Sequence, residues 1–214
     1  MRKIFVIGLP RTGTTSVCAA FLKLGYKVAH TAYTDAAFDR ADVVGDTPVF
    51  HEFETLDQCF PGSKFIYLSR EERSWLPSIK TLLGKIEERG TRDQNAFHPV
   101  FTRCFREVFG VFDPSVPFDQ CLVDEVLSKK FSLHSDRVHE YFKARPQDLL
   151  SIDVSQPGGV KALSDFLNIT NKGIDNFDLL NKGGVISDWD KITHPNKINS
   201  NLKNAAGRRV LTYI

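Results

Sequence analysis

The sequence lacks the closely spaced cysteine pairs that hold most structural zinc ions. None of its four cysteines belongs to a C-x-x-C pair: Cys18, Cys59, Cys104 and Cys121. We expect buried, reduced thiols, with a disulfide or a metal site as the less favoured alternatives. The histidines also lack the spacing of metal ligands, since His134 and His139 lie five positions apart on a predicted helix. We therefore predict that the protein binds no metal.

Strong charge of one sign and long apolar runs are also missing. Lys and Arg number 28 against 26 Asp and Glu, a net charge of +2, which does not indicate a nucleic-acid partner. No apolar run approaches the ~20 residues of a membrane span, and an apolar strand pattern begins at once, without a charged leader. We expect a cytoplasmic protein without membrane or nucleic-acid partners. Nothing in the sequence indicates its oligomeric state.

Apolar runs typical of buried strands alternate with segments of helical periodicity. The runs cover residues 3–8, 26–30, 43–46, 64–70 and 148–154. The helical patterns cover residues 14–24, 35–40, 53–60, 71–88, 97–109, 118–144 and 160–167. This alternation predicts an α/β fold of three layers, with a parallel sheet in the middle and helices on both faces. Ligands of such sheets bind beyond the carboxyl ends of the strands.

The periodicity weakens after residue 168, where the chain becomes rich in Asn, Lys, Gly and Asp. A chain of 214 residues suits a single domain. We expect one α/β domain over residues 1–168 and a C-terminal extension over residues 169–214 that packs on the same domain. The extension either wraps the surface of that domain or is partly disordered.

The segment IFVIGLPRTGTTSV, residues 4–17, combines a strand, a glycine-bounded loop and the start of a helix. Such a segment binds anions, because backbone N–H groups point into the loop and the helix dipole adds roughly half a positive charge. Gly8 and Gly13 permit a tight backbone path. An ATP-binding loop, G-x-x-x-x-G-K-[ST], has lysine where this sequence has Thr14. The cation of this loop is instead Arg11.

The pattern P-x-x-G-T-T, with a basic residue after the proline, resembles the 5′-phosphosulfate loop of the sulfotransferases. The resemblance implies binding of 3′-phosphoadenosine 5′-phosphosulfate (PAPS) without magnesium, and release of 3′-phosphoadenosine 5′-phosphate (PAP). Arg11 stands where the family usually has a lysine near the bridging oxygen, so the resemblance also assigns it a catalytic role. The loop residues that the resemblance assigns to the cofactor are Pro10, Arg11, Thr12, Gly13, Thr14 and Thr15.

A second motif is similar to the family's 3′-phosphate site, in which an arginine ends a strand and a serine follows eight residues later. In YLSREERSWLPSIK, Arg70 ends the predicted strand and Ser78 stands eight residues on. Ser74 is a competing serine, but the family's spacing selects Ser78. Pro77 would delay or kink the helix, because proline removes a backbone hydrogen bond. The alternative role for Arg70 is an ion pair at the helix start.

The chain looks most like small bacterial-type sulfotransferases over roughly residues 3–168. The segments that carry this resemblance are GLPRTGTTS at residues 8–16, DTP at 46–48 and PGSKFI at 61–66. Larger members of the family close a glycine-rich basic segment over the cofactor. One stretch of this chain is a candidate for that segment, NAAGRR at residues 204–209.

Transfer to a hydroxyl or amine needs a base to remove the acceptor's proton. Asp46 follows the third predicted strand, where the resemblance places active-site residues, and it ranks first. His51 and Glu52 rank next, and His30, at the end of the second strand, is third. Each has a structural alternative. Asp46 could cap a turn, His51 and Glu52 could be solvated at a helix start, and His30 could sit at the edge of the core.

An aromatic stripe and a cluster of basic residues lie where the acceptor is expected to bind. The stripe consists of Phe97, Phe101, Phe105 and Phe109. Core packing is the usual role of such a stripe, and a lid over an apolar or aromatic acceptor is the alternative. The basic residues are Lys85, Arg89, Arg92, Arg103 and Arg106. They would suit an anionic acceptor such as a saccharide, or form a solvated face. We expect a small-molecule or saccharide acceptor.

The favoured function is in-line transfer of a sulfuryl group from PAPS to a hydroxyl or amine. The first alternative is a P-loop kinase-like phosphotransferase. Thr14 argues against it, because a kinase-type loop needs a lysine that reads the phosphates. The second alternative is a non-catalytic member of the fold that binds a nucleotide or a partner protein.

Overall fold

Five parallel strands form one sheet in the part of the chain that the structure describes. The computed structural model describes residues 2–93, 95–181 and 188–203. The strands are β1 (Ile4–Val6), β2 (Val28–Ala29), β3 (Val43–Gly45), β4 (Lys64–Leu68) and β5 (Leu149–Ile152). Their order is β2-β3-β1-β4-β5, and Phe5 of the central strand pairs in register with Val44 and Phe65. The predicted parallel α/β sheet is confirmed.

Helices connect the strands much as predicted, with changes in their bounds. In the described ranges they are α1 (Thr14–Leu24), α2 (Asp35–Arg40), α3 (Val49–Cys59), α4 (Glu72–Arg92), α5 (Pro99–Phe109), α6 (Phe118–Cys121), α7 (Asp124–Phe142), α8 (Gly159–Leu167) and α9 (Asp188–Lys191), with a 3₁₀ turn at Pro146–Asp148. The prediction of a single helix over residues 118–144 is wrong, because the chain forms two helices there, α6 and α7. Val123 is extended and separates them. Asp124 and Glu125 lie in the first turn of α7, where acidic side chains are favourable. The predicted late start of the helix at Pro77 is wrong, because α4 begins at Glu72 and includes Pro77.

The sheet is the middle layer between two groups of helices. On one face, strand residues pack against α1 and α8 in a cluster that includes Phe21 and Leu163. On the other face they pack against α3 and α7 through Phe53 and Phe142. Burying one such side chain contributes about 1.5–3 kcal/mol. A third cluster joins α4, α5 and the first half of α7 around Trp75. The predicted covering of both sheet faces is confirmed.

Residues from the C-terminal part of the chain lie along β2 at the outer edge of the sheet. The Val28 N–H donates to the Asn196 carbonyl at 2.9 Å, and the Ile198 N–H donates to the Val28 carbonyl at 2.8 Å. Further along, the Tyr33 N–H donates to the Ser200 carbonyl. These bonds satisfy an otherwise open strand edge. They also bring residues 196–200 to the carboxyl end of the sheet, where ligands of parallel sheets bind.

All four cysteines are free thiols, as expected. Cys18, Cys104 and Cys121 are buried as predicted, but the predicted burial of Cys59 is wrong, because this residue is exposed at the last position of α3. Burial raises the pKa of Cys18 and Cys104, so these thiols are poor nucleophiles. No helix within the described residues is long and apolar enough to cross a membrane.

The buried imidazole of His134 makes the stability of the fold depend on pH. Its Nε2 donates to the Phe50 carbonyl at 2.7 Å, and burial lowers its pKa from 6.5 to about 4. The folded pKa lies below the unfolded one, so the unfolded chain takes up the proton first as pH falls. Stability is therefore full above pH 6.5 and is lost between pH 6.5 and about 4. This residue should account for a loss of about 3 kcal/mol.

Urea unfolding of the wild type and of His134→Gln, from about pH 7 to about pH 4, measures this loss. The glutamine amide can still donate to the Phe50 carbonyl but takes up no proton, so the variant should lose less stability as pH falls. An equal pH dependence in the two proteins would show that His134 is not responsible.

Candidate active site

The loop between β1 and α1 has two positions that only glycine fits. A Cβ atom on Gly8 would lie 2.5 Å from Leu68 Cβ and would also clash with Thr12 Oγ1. Gly13 has a φ of 109°, and a Cβ atom there would lie 2.5 Å from Val154 Cγ2. The backbone can therefore turn tightly around the N-terminus of α1, as the two glycines predicted.

The first turn of α1 faces the loop with backbone donors. The first N–H groups of a helix have no acceptor within the helix. The N-cap residue here is Gly13, which has no side chain that could accept hydrogen bonds from these N–H groups. Thr14 and Thr15 start the helix and line the adjoining cavity. Trp75 Nε1 donates to the Pro10 carbonyl at 2.9 Å and holds the loop in place. This is the arrangement of an anion-binding helix terminus.

The loop and the second motif meet through hydrogen bonds. Arg70 follows β4, and its Nη1 donates to the Arg11 carbonyl at 2.5 Å. Arg11 Nε donates to Ser78 Oγ at 2.9 Å. The competing serine, Ser74, accepts from Arg70 Nε at 3.1 Å. Both serines line the cavity beside the two arginines, because they lie one helical turn apart on α4.

The two guanidinium groups create a local excess of positive charge. Burial, followed by the nearby Arg70 cation, lowers the pKa of Arg11, while Asp46 and Asp188 oppose this effect. Burial also lowers the pKa of Arg70, and Asp153 opposes it. Both groups stay protonated at neutral pH, because arginine titrates far above it. A multiply charged anion would stabilise such a pair of neighbouring cations.

His30, which follows β2, contacts both threonines of the loop. Its Nε2 lies 3.0 Å from Thr15 Oγ1 and 3.3 Å from Thr14 Oγ1. It lies 3.9 Å from Asp46 Oδ2, which accepts from Thr14 Oγ1 at 3.1 Å. Burial lowers the pKa of His30, against the opposing effect of Asp46 and Asp190. The imidazole is therefore neutral at neutral pH and can accept a proton.

His51 and Glu52 lie on α3, outside the lining of this cavity. His51 Nε2 is 2.5 Å from a carboxylate oxygen of Glu107. Glu52 accepts two hydrogen bonds from the guanidinium of Arg103, at 2.9 Å and 2.6 Å. Of the four residues considered as the base, the structure thus brings His30 and Asp46 to the loop and directs His51 and Glu52 to other partners.

The C-terminal part of the chain supplies site residues that the sequence patterns missed. The Asn181 side-chain amide donates to Thr15 Oγ1 at 2.9 Å, and the Asn181 backbone carbonyl accepts from Arg11 Nη2 at 2.8 Å. Trp189 stacks on the His30 imidazole, with ring centroids 5.2 Å apart. In the sequence, the signal that could have indicated a role for this segment is Trp189, a large aromatic residue in an otherwise polar stretch. The basic stretch at residues 204–209 lies outside the described residues.

A single cavity of about 1210 Å³ joins these features. Its wall contains the loop, the arginine and serine motif, the His30–Asp46 pair and the C-terminal residues around Asn181. The volume exceeds that of most pockets for one drug-sized ligand. It therefore has room for two molecules side by side.

Comparison with known proteins agrees with this geometry. A family model described as a sulfotransferase domain matches residues 3–34 and 31–182. The chain belongs to this sulfotransferase family. A relative from Aspergillus versicolor, named "Ava biosynthesis cluster protein M", is 31% identical. That match covers 52% of this chain and 58% of the relative, so the chain spans less than two thirds of the relative's length.

The aromatic stripe of Phe97, Phe101, Phe105 and Phe109 divides between the core and the cavity. Phe105 and Phe109 are buried at 1% exposure. Phe97 and Phe101 are only partly buried, and both line the cavity. Of the basic cluster named from the sequence, Arg89 lines the cavity. Neither the core role nor the cavity role alone describes the stripe. Phe97 precedes α5 and Phe101 lies in its first turn, and both line the cavity, whereas Phe105 is a buried part of the cavity wall and Phe109 lies in the core.

Proposed function

We propose that this sulfotransferase transfers a sulfuryl group from PAPS to a hydroxyl or amine of a small-molecule acceptor. The observation that carries the proposal is the meeting of two separate motifs. Arg70 binds the backbone of the glycine loop, and the loop cation Arg11 binds Ser78. Arg70 and Ser78 lie 59 and 67 positions after Arg11 in the sequence, and together the three residues form one anion-binding wall.

The residues present fit a ligand with phosphate groups at both ends of a ribose. The glycine loop, the first-turn amides of α1 and the hydroxyls of Thr14 and Thr15 would hold the 5′-phosphosulfate. Arg70 and Ser78, with Ser74 beside them, would hold the 3′-phosphate. A forked guanidinium suits a phosphate because it donates two parallel hydrogen bonds. When bound, PAPS supplies the sulfuryl group and leaves as PAP.

Two side chains of the cavity carry the chemical roles. Arg11 places its charge beside the loop, where negative charge develops on the leaving phosphate oxygen, and fixed donors at such a point lower the barrier. His30, neutral at neutral pH, removes the proton of the acceptor. Asp46 holds Thr14 and stabilises the imidazolium that forms. Asp46 itself is the alternative base, because it lies on the same cavity.

We further propose that residues 169–214 belong to the same folding unit as residues 1–168. Asn181 binds the loop and Trp189 covers His30. Without this segment the loop would lose the two hydrogen bonds that it makes with Asn181, and the base would be open to water.

Thermal unfolding with PAP, Mg-ATP and adenosine 5′-monophosphate tests the cofactor class. PAP at 100 times its dissociation constant should add about 2.7 kcal/mol, a rise of roughly 5–10 °C in Tm. A rise with Mg-ATP alone would instead support a kinase, for which Asp46 directly after β3 could hold magnesium. No rise with any nucleotide would favour a non-catalytic member of the fold.

Arg70→Ala should weaken PAP binding by ~10–100-fold, because charged hydrogen bonds to a phosphate are lost. Isothermal titration with PAP measures the effect. The matched control is Arg73→Ala, an exposed arginine on α4 that does not line the cavity. If both variants bound PAP as the wild type does, Arg70 would not belong to the nucleotide site.

A further inference from the structure

One end of the cavity wall is built from partly exposed aromatic rings. Tyr33 and His98 stack with centroids 4.6 Å apart and an interplanar angle of 6°. Phe97 and Phe101 stack at 4.9 Å and 11°. All four residues line the same cavity as His30. Aromatic surface left open inside a cavity is available to pack against a ligand ring.

The positively charged side chain of Arg89 lies at this aromatic end of the cavity. The Arg89 guanidinium lies 5.3 Å from the centroid of the Phe97 ring, and Arg89 lines the cavity. Among the described residues it forms no ion pair, whereas Arg92 pairs with Glu88 and Arg103 pairs with Glu52. A guanidinium that faces a cavity without a carboxylate partner is suited to bind an anionic group of a ligand.

The apolar wall disfavours a saccharide. Besides Tyr33, His98 and Arg89, the lining here includes Leu82, Phe97, Phe101 and the buried Phe105, whose side chains offer no hydrogen-bonding groups. Each ligand hydroxyl buried without a partner would cost about 1–3 kcal/mol. An aromatic ring has no such groups on its faces and packs directly on other rings.

We propose that the acceptor is a planar aromatic compound with a hydroxyl group at one end and an anionic group at the other. Its ring packs on Phe97 and Phe101, its anion pairs with Arg89, and its hydroxyl lies toward His30. The assignment rests on the proposed function. In the transfer, the acceptor oxygen bonds to sulfur, the bond from sulfur to the phosphate oxygen of PAPS breaks, and the hydroxyl proton passes to His30.

Binding of three probes to the PAP-saturated protein tests the proposal. The probes are 6-hydroxy-2-naphthoate, its neutral amide, and glucuronate as an anionic saccharide. Calorimetry should show the naphthoate binding at least about tenfold more tightly than the amide, since one charge-assisted contact is lost. Glucuronate should bind more weakly than the naphthoate, because it lacks an aromatic ring.

Arg89→Gln should remove the preference for the naphthoate over the amide. Arg92→Gln is the matched control, because Arg92 is exposed, pairs with Glu88 and does not line the cavity. It should keep the preference. Both variants should bind PAP as the wild type does.

Several results would overturn the assignment. They are equal binding of naphthoate and amide, tighter binding of glucuronate, no binding of either aromatic probe, and a preference that survives in Arg89→Gln. These failures leave the proposed function standing as long as PAP binds to the wild type. Absence of PAP binding would instead contradict the proposed function itself.

Discussion

Replacing Arg11 by alanine is expected to lower kcat for PAP formation from PAPS by ~10²–10³-fold, with PAP affinity reduced less than about tenfold. Arg11 is the cation of the loop and lies half-buried beside Arg70. Its charge matters most when the leaving oxygen becomes negative, so its loss should raise the barrier more than it weakens ground-state binding. Release of PAP with water as the acceptor measures kcat without an identified substrate.

Arg11→Lys is the matched variant. It keeps the cation but cannot bridge Ser78 and Asn181 together, as the guanidinium does. We expect its kcat to lie within about tenfold of the wild type, because the charge carries most of the effect. A wild-type rate in Arg11→Ala would remove Arg11 from the mechanism. Equal losses in both variants would show that hydrogen-bond geometry, rather than charge, is required.

Replacing His30 by glutamine is expected to lower kcat by ~10²–10⁴-fold, the usual contribution of a general base. Glutamine keeps hydrogen-bonding groups near Thr14 and Thr15 but cannot take up the acceptor's proton. Because burial lowers the pKa of His30 below 6.5, the wild-type rate should be constant near neutral pH. It should fall only as pH drops below 6.5 and the imidazole becomes protonated. The measurement is the pH profile of PAP formation.

Two variants separate His30 from the other groups considered as the base. His51→Gln should keep kcat within about twofold, since His51 lies outside the cavity and pairs with Glu107. Asp46→Asn should reduce the rate but keep the acid limb of the profile, because His30 still titrates. Loss of that limb in Asp46→Asn, with its retention in His30→Gln, would identify Asp46 as the base instead.

The strands and the loop could be predicted from the sequence, whereas the helix bounds were less exact. β1 and β4 lie within the predicted apolar runs, although each is shorter than its run. A strand needs paired neighbours, so an apolar run continues beyond the residues that pair. The break at Val123 was missed because apolar periodicity continues across it. A helical spacing of apolar residues indicates which side chains are buried, but it can continue across a residue such as Val123 whose backbone is not helical.

The positions of the candidate bases relative to the loop depend on the tertiary structure. Asp46 and His51 lie five positions apart, and only the position of Asp46 directly after a predicted strand ranked it above His51. In the folded protein, Asp46 follows β3 at the carboxyl edge of the sheet, whereas His51 has entered α3 and faces Glu107. His30, ranked third, reaches the loop because β2 places it at the same edge.

The sequence by itself determined the α/β class and the anion-binding loop. Both depend on contiguous residues: strand, glycine turn and helix start follow one another, and the binding groups are mainly backbone amides. The tertiary structure alone decided what surrounds that loop. Asn181 reaches Thr15 across 166 positions, and Trp189 stacks on His30 from a stretch without periodicity. Contacts over such separations depend on strand order and packing, which no local pattern encodes.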